Sequence, residues 1–408
     1  MSWLRRISSR QLLALSATLV ALMAGAAALA LAATGGGPKP APAPLPVAAH
    51  DALTAPEVSG VSARIQFTNH LIAGSSIQGA DPILTGASGR LWASPDGKVR
   101  LELQASGHEG ATSDSQVLVN GDRFSIYDSG SNTVYKGTLP QQGKDSQGAD
   151  KSGAHKPPTL AEVKKAIASL MDHASVGGAT PSDVAGRPAY TVRIGPKQNG
   201  GLIGGAELAW DAVHGTPLRA AVYAKGDSSP VLELKATDIS YGPVSSSVFD
   251  VTPPAGASVT DISSPTSSSA DNGNGKEPAP VTGLDAVQRQ ASFPVTAPAS
   301  LAGQARNEVR LVQSGKDAGA LVTYGNGLSG IAVIEQPTDA KNAGAGANPS
   351  ANGDHGQLQL PAVDVNGSPG QELDTPLGSV IRFERGGVQY TVVGSVPPAT
   401  ALSAARSL

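Results

Sequence analysis

The chain has 408 residues, a formal net charge of -3 and no cysteine. That charge balance gives no electrostatic footprint for nucleic acid, and without cysteine no disulfide constrains the unfolded chain, so stability has to come from burial. The length suggests two or three domains, and 49 Gly and 31 Pro beside 4% aromatics suit a turn-rich β fold broken by polar inserts.

Arg5, Arg6 and Arg10 precede an apolar run from Leu12 to Ala33 that carries no charge. A basic flank, an apolar core and small residues at the exit form an export signal. The run of about 22 residues is long enough to cross a hydrocarbon core as a helix, and longer than the usual core of a cleaved signal. Length thus favours a retained anchor with its positive end inside. Ala28-Leu29-Ala30 and Ala30-Leu31-Ala32 nevertheless both fit a small-x-small cleavage site. Residues 1–33 are read as a signal or transmembrane helix. The expected location is the cell membrane, single-pass with extracytoplasmic domains, or, as the alternative, secretion after cleavage. Residues 34–56 read as a Pro/Ala spacer that buries no core and holds the folded part off the bilayer.

The first folded region spans 57–261. Val61, Ala63, Ile65 and Phe67 alternate with Ser62, Arg64, Gln66 and Thr68, and period two means a half-buried strand. The pattern returns in Val99-Leu101-Leu103, in Val117-Val119, and in Phe124-Ile126 after the turn pair Asn120-Gly121. It continues through Tyr190-Val192-Ile194, Leu208 and Trp210, Leu218 to Tyr223, and Val231 to Tyr241. Many short strands with turns between them predict an antiparallel sheet with one solvated face. One helix interrupts them. Thr159 and Glu162 form a capping box, and Leu160, Val163, Ile167, Leu170 and Met171 follow on one stripe. That stripe either packs as core or lids an apolar concavity. The polar stretch 141–156 before it reads as a disordered loop.

Residues 262–280 form a Ser/Asn/Gly/Pro linker, and the second region spans 281–408. A helical patch, Leu284 to Ala291, is followed by strands at Val309-Leu311, Ala320-Val322-Tyr324, Ile331-Val333, Ile381-Phe383 and Val388-Tyr390-Val392. A low-complexity insert covers 338–356. At the end of the chain Leu402, Ala405 and Leu408 keep helical spacing.

Chemical motifs are few. Gly325-Asn326-Gly327-Leu328-Ser329-Gly330 matches G-x-G-x-x-G, but strand alternation and no helix follows, so it reads as a hairpin turn. Ser329 lacks the G-x-S-x-G elbow. His50, His70, His108, His155, His173, His214 and His355 show no i,i+2 or i,i+4 pairing and read as isolated surface or loop residues, so no metal site is expected. Asp271-Asn272-Gly273-Asn274 lacks the closing Glu of a calcium loop.

One set of motifs carries a resemblance. In order they are Val184-Ala185-Gly186-Arg187-Pro188-Ala189-Tyr190, a strand ending in Trp210-Asp211, the turn Gly215-Thr216-Pro217-Leu218-Arg219, and Phe249 with Pro253-Pro254-Ala255-Gly256. This stretch resembles the closing half of the LolA/RseB-like lipoprotein-carrier superfamily, whose pattern runs V-x-G-x-P-x-Y, W-x-D, G-x-P-L-R and F-x-x-x-P-P-x-G. The resemblance covers about Val58 to Val259. The second region resembles a DUF4367-type domain, with Phe293-Pro294-Val295 at its opening and Val388 to Gly394 at its close. The resemblance implies an antiparallel sheet curled as a half-barrel over helices, with a hollow for acyl chains. It also implies a protein that carries lipoproteins, or senses their acyl chains while regulating an anti-sigma factor.

The expected fold is therefore α+β: a signal or anchor helix, a LolA-like curled antiparallel half-barrel covering helices, and a small α+β domain. The expected wall of the hollow is Ile65, Phe67, Leu101, Leu103, Phe124 and Ile126 from the strands, with Leu160, Val163, Ile167 and Leu170 from the helix. Expected partners are the membrane through the N-terminal helix, a lipid or lipoprotein, and an envelope regulatory protein as the alternative. No cofactor, no catalytic residue, no enzyme activity and no nucleic acid is expected.

Overall fold

The computed structural model of the chain describes residues 37–72, 86–105, 114–121, 123–129, 132–138, 158–197, 201–261, 281–314, 317–338 and 360–408. The expected anchor and linker, the 141–156 loop, and the insert beyond residue 338 lie outside the described residues. Among the described residues no helix is long and apolar enough to cross a membrane.

The alternating segments pair into one wide sheet. Six strands run as a meander: β1 (Val61–Asn69), β2 (Ala87–Ala93), β3 (Val99–Ala105), β4 (Asp114–Asn120), β5 (Arg123–Asp128) and β6 (Thr133–Thr138). A second group follows α2 (Leu160–His173): β7 (Ala174–Val176), β8 (Thr180–Val184), β9 (Arg187–Pro196), β10 (Ile203–Asp211), β11 (Pro217–Ala224) and β12 (Pro230–Tyr241). The long pairing of β1 with β12 joins the two groups. The strand order is β13-β6-β5-β4-β3-β2-β1-β12-β11-β10-β9-β7, with β8 also on β9, where among the described residues β13 (Ser258–Asp261) is the one parallel partner. Register shifts at Arg64/Ile65, Ala209/Trp210 and Val222/Tyr223 add local twist and help curl the sheet.

Residues 37–56 differ from the expected spacer. Leu45–Thr54 is a helix, α1, with Pro46 in its first turn, where proline leaves no orphan donor. Its Ala48 is 2% exposed and packs with Tyr190, Val192 and Trp210 of β9 and β10. The Tyr190 hydroxyl donates to Ala41 O at 2.6 Å, which straps the preceding turn to the sheet. An Ala-rich helix needs no large side chains to bury a face when its partners are Trp and Tyr.

The capping box at α2 forms as expected: Glu162 N–H donates to Thr159 Oγ1 at 3.3 Å, and Thr159 N–H donates to Glu162 Oε2 at 2.7 Å. The helix does not roof the meander. It packs mainly on α1 and β7, and Lys197 beyond β9 caps its last carbonyls at Met171 and Asp172.

The second sheet holds β14 (Ser300–Leu301), β15 (Gln304–Ser314), β16 (Asp317–Tyr324), β17 (Ile331–Pro337), β18 (Ala362–Val365), β19 (Ser368–Thr375), β20 (Gly378–Arg385) and β21 (Val388–Gly394), in the order β14-β15-β16-β17-β21-β20-β19-β18. Val309, Val322, Val333, Val392 and Ile381 form one buried cross-strand row. Val287 of α3 (Leu284–Gln290) and Ala401, Ala404 and Ala405 of α4 (Pro398–Arg406) close the same core. The glycine run at 325–330 is the turn between antiparallel β16 and β17, as the alternation after it required.

The two sheets meet at a backbone clasp. Leu202 N–H donates to both Ser395 O and Ser395 Oγ at 3.0 Å, and Ile203 N–H donates to Ser395 Oγ at 3.1 Å. Gly201 sits there at φ +69°, and a Cβ on it would lie 1.7 Å from Ser395 O.

Because α1 covers Trp210 and Tyr190, a fragment starting at residue 57 is expected to be less stable than one starting at residue 37. The difference should be at least about 2 kcal/mol, the transfer value of one large apolar side chain. Chemical denaturation of the two fragments reads it, and equal midpoints would mean that the strap contributes nothing.

Candidate binding face and its polar supports

Residues directly opposite in an antiparallel pair share a face. Ala63, Leu91, Leu101, Val117, Ile126 and Tyr135 therefore form one row across β1 to β6. A second row is Val61, Ala93, Val99, Val119 and Phe124, and a third begins with Ile65, Gly89 and Leu103. Gly89 has a role in that third row. A Cβ on it would lie 1.9 Å from Glu102 O of β3 and 3.2 Å from Leu103 Cδ2, so the missing side chain lets the β3 backbone approach this closely.

The six strand residues expected to line a hollow lie together on this face. Ile65, Leu101, Leu103 and Ile126 are buried in one cluster with Val117, Val119 and Leu234, and Phe67 and Phe124 pack against it half-buried. The four helix residues do not join them. Val163 is buried, Leu160 and Ile167 are half-buried, and Leu170 is 42% exposed beside Met171 at 48%. The stripe is real as a pattern, but its partner is α1, a helix that the proline-rich sequence concealed. The described helices thus leave the β1–β6 face without a helical roof.

The opposite face is polar. Arg219 donates through Nη1 to Glu207 Oε2 at 2.7 Å, through Nε to Glu233 Oε1 at 2.5 Å and through Nη2 to the Tyr223 hydroxyl at 2.7 Å. Tyr223 in turn donates to Glu207 Oε2 at 2.7 Å, and Arg193 lies 4.6 Å from the Tyr223 ring centroid while bonding Glu207 Oε1. Burial pushes the Glu207 carboxyl up, but the bonds from Arg219 and Tyr223 outweigh it and hold it below its ordinary value. This network ties β9, β10, β11 and β12 together on the side away from the apolar rows.

A second cluster closes the sheet end beneath α1. Asp211 is completely buried and accepts from Val213 N–H at 2.8 Å and His214 N–H at 3.0 Å, which shapes the turn after β10. His214 Nδ1 lies 3.1 Å from Asp211 Oδ2, and the Tyr241 hydroxyl donates to the same oxygen at 2.7 Å. The His214 and Tyr241 rings stack with centroids 3.7 Å apart, and Arg187 lies 5.1 Å from the Tyr241 ring centroid. Burial first, and the bond to Asp211 second, push the Tyr241 hydroxyl far above its usual range. His214 is therefore not the isolated loop histidine expected from its spacing. Its partner sits three residues back in a turn, a geometry that the i,i+2 and i,i+4 templates do not test. The nearby glycine is also fixed: Gly215 has φ +64°, and a Cβ on it would meet Ala52 O of α1 at 2.2 Å. Among the described residues no group of His, Asp and Glu is placed to hold a metal ion.

In sequence the chain matches no family model and no curated protein. Among solved structures it is similar to the MucA/MucB complex of Pseudomonas aeruginosa, at 16% identity over 88% of this chain and 95% of that one, with a TM-score of 0.38. It is also similar to an uncharacterised conserved protein from Thermus thermophilus, at 11% identity over 53% of this chain and 96% of that one, with a TM-score of 0.30. A putative outer membrane lipoprotein-sorting protein domain from Vibrio parahaemolyticus aligns at 10% identity over 50% of this chain and 94% of that one, with a TM-score of 0.21.

Asp211→Ala leaves the buried Tyr241 hydroxyl without this acceptor, so a loss of about 3 kcal/mol is expected in denaturant titration, against about 1 kcal/mol for Tyr241→Phe. Glu207 has its folded value depressed, so its contribution is present above its ordinary 4.5 and lost as pH falls below that. Arg219→Met is expected to flatten this acid limb in thermal melts taken across the pH range.

Proposed function

We propose that the chain is a membrane-tethered extracytoplasmic binding protein. In this reading the β1–β6 face, with Leu234 of β12, holds a lipid or the acyl chain of a lipoprotein. One observation carries it: two continuous apolar rows and the start of a third cross the meander, buried against one another and against Leu234 of β12, while the described helices seat themselves elsewhere. A sheet face of this kind suits a ligand that is long, thin and featureless. At about 0.8 kcal/mol per buried CH₂, a dozen methylenes supply roughly 10 kcal/mol before ordering costs. The Arg219 network ties β9 to β12 beside this face, and the Asp211 cluster holds the turn after β10, so the neighbouring half of the sheet is braced by polar bonds. The work is binding and not turnover. Residues 57–261 form the binding unit and 281–408 a second unit, with the segment 1–33 as the tether.

A second reading is favoured by the α1–α2 surface. Leu53, Leu170 and Met171 are exposed there, and exposed apolar side chains on neighbouring helices suit a protein partner. In that case the chain acts as an envelope regulator that docks another protein, including a membrane-bound anti-sigma factor.

The two readings separate in one experiment. A fragment starting at residue 37, purified without detergent, is examined by native mass spectrometry and titrated with a fluorescent fatty acid. Saturable uptake is expected, and Val117→Trp, which fills the face, should weaken it at least tenfold while Leu170→Ser leaves it unchanged. A folded fragment that carries no lipid and takes up no fatty acid would sink the acyl-chain reading.

A further inference from the structure

The core of the second sheet contains a carboxylate. Glu335 lies on β17 in the cross-strand row Ala320, Glu335, Tyr390 and Phe383, on the same face as Val333, and it is completely buried. Its Oε2 accepts from Thr296 N–H at 2.8 Å, while its Oε1 has no partner among the described residues. Thr296 belongs to the connector between α3 and β14. Its Oγ1 lies 3.0 Å from the Tyr390 hydroxyl, and its neighbours Phe293 and Val295 are buried in the core. Thr296 is thus one point at which this connector is pinned to the sheet, beside the bonds from Arg306 to Ala297 O and Ala299 O, and one of the two partners of Thr296 is a group that can ionise.

The surroundings offer that group little charge compensation. β16 contributes Tyr324, completely buried with its hydroxyl unpartnered among the described residues, and β21 contributes Tyr390. β15 contributes Arg306, whose guanidinium donates to Ala297 O of the same connector. On α3, Asp285 and Arg289 are exposed, and on α4 the guanidinium of Arg406 is engaged by Asp364 O. No ion pair to Glu335 forms among the described residues. Burial pushes its carboxyl up to about 7, against a smaller downward pull from the Thr296 N–H. Tyr324 is likewise pushed up to about 12, by burial first and by the Glu335 charge second.

We propose that Glu335 is a proton-operated latch: protonated, it keeps the connector 291–299 seated on the second sheet, and ionised, it loosens that connector. A glutamine would fill the same volume and keep the bond to Thr296 without a charge, so packing alone gives no reason for a glutamate here. Because the folded value lies above the unfolded one of 4.5, the stabilisation is fully present below about 4.5 and is lost as pH rises through about 7. This is opposite in sign to the Glu207 network in the first sheet. The latch needs no ligand on the β1–β6 face, although its use as a sensor of external acidity rests on the export reading.

Hydrogen exchange of the full chain tests it. After correction for intrinsic rates, protection at Thr296 and its neighbours should fall about tenfold between roughly pH 6 and pH 8, the limit set by release of one proton per unit of pH. Glu335→Gln should abolish that fall and keep the connector protected at both values. A ¹³C titration of the Glu335 carboxyl in the unaltered protein provides the second readout, with a midpoint expected near neutrality. A midpoint in the ordinary carboxylate range, or protection that does not change with pH, would overturn the proposal. Fatty-acid uptake by the first sheet should be the same in Glu335→Gln, so failure here is distinguishable from failure of the binding reading.

Discussion

The constraint behind this structure is that a very wide antiparallel sheet must bury one face with few helices and no covalent cross-links. The cross-strand row from Ala63 to Tyr135 shows how it is met. Each strand offers one apolar side chain per row, and neighbours opposite one another complete the surface. No single position dominates, so the apolar face is a property of register. A slip of one residue in any pair would turn its aliphatic side chains outward and bring Arg64, Arg90 or Glu102 in.

Register in turn depends on the ends. The β1–β12 pairing brings together residues more than a hundred positions apart in the chain, and the Asp211, His214 and Tyr241 cluster locks the closing strands from the far side. α1 adds a cover that arrives from before the first strand. The polar network around Arg219 fixes the spacing of four adjacent strands on the outer face. Polar groups thus hold the frame, and the apolar rows supply most of the burial.

Much of this was legible in the residues. Period-two alternation marked β1, β3, β5, β9, β12 and the core strands of the second sheet, and the capping box at Thr159 marked the start of α2. Other elements left weaker traces. In β2 the stretch Ala87–Ala93 contains Gly89 and the small residues Ala87, Ser88 and Ala93, so its alternation is faint, and it is a strand because β1 and β3 flank it. α1 was hidden because proline and alanine in bulk read as a tether. Its helicity is decided by tertiary contact with Trp210 and Tyr190, which no local pattern records. Glu335 was visible in principle: Ile331, Val333 and Glu335 share one phase of a strand, so a charged residue stood where an aliphatic one was due. The six strand positions of the candidate face could be read from alternation, while the helix positions could not, because the same stripe serves any apolar neighbour.

The strap formed by residues 37–54 also bears on how far the folded part can travel. Docking begins at Gly37, whose absent Cβ leaves space for the Asp183 carboxylate, and the apolar run ends at Ala33. Four peptide steps reach about 14 Å at full extension. With an anchor kept in the bilayer, the first sheet would ride close against the lipid surface, with the β8 corner nearest to it. Under the retained-anchor reading such a protein would have no leash with which to search its surroundings, and whatever it meets would have to come to the membrane plane.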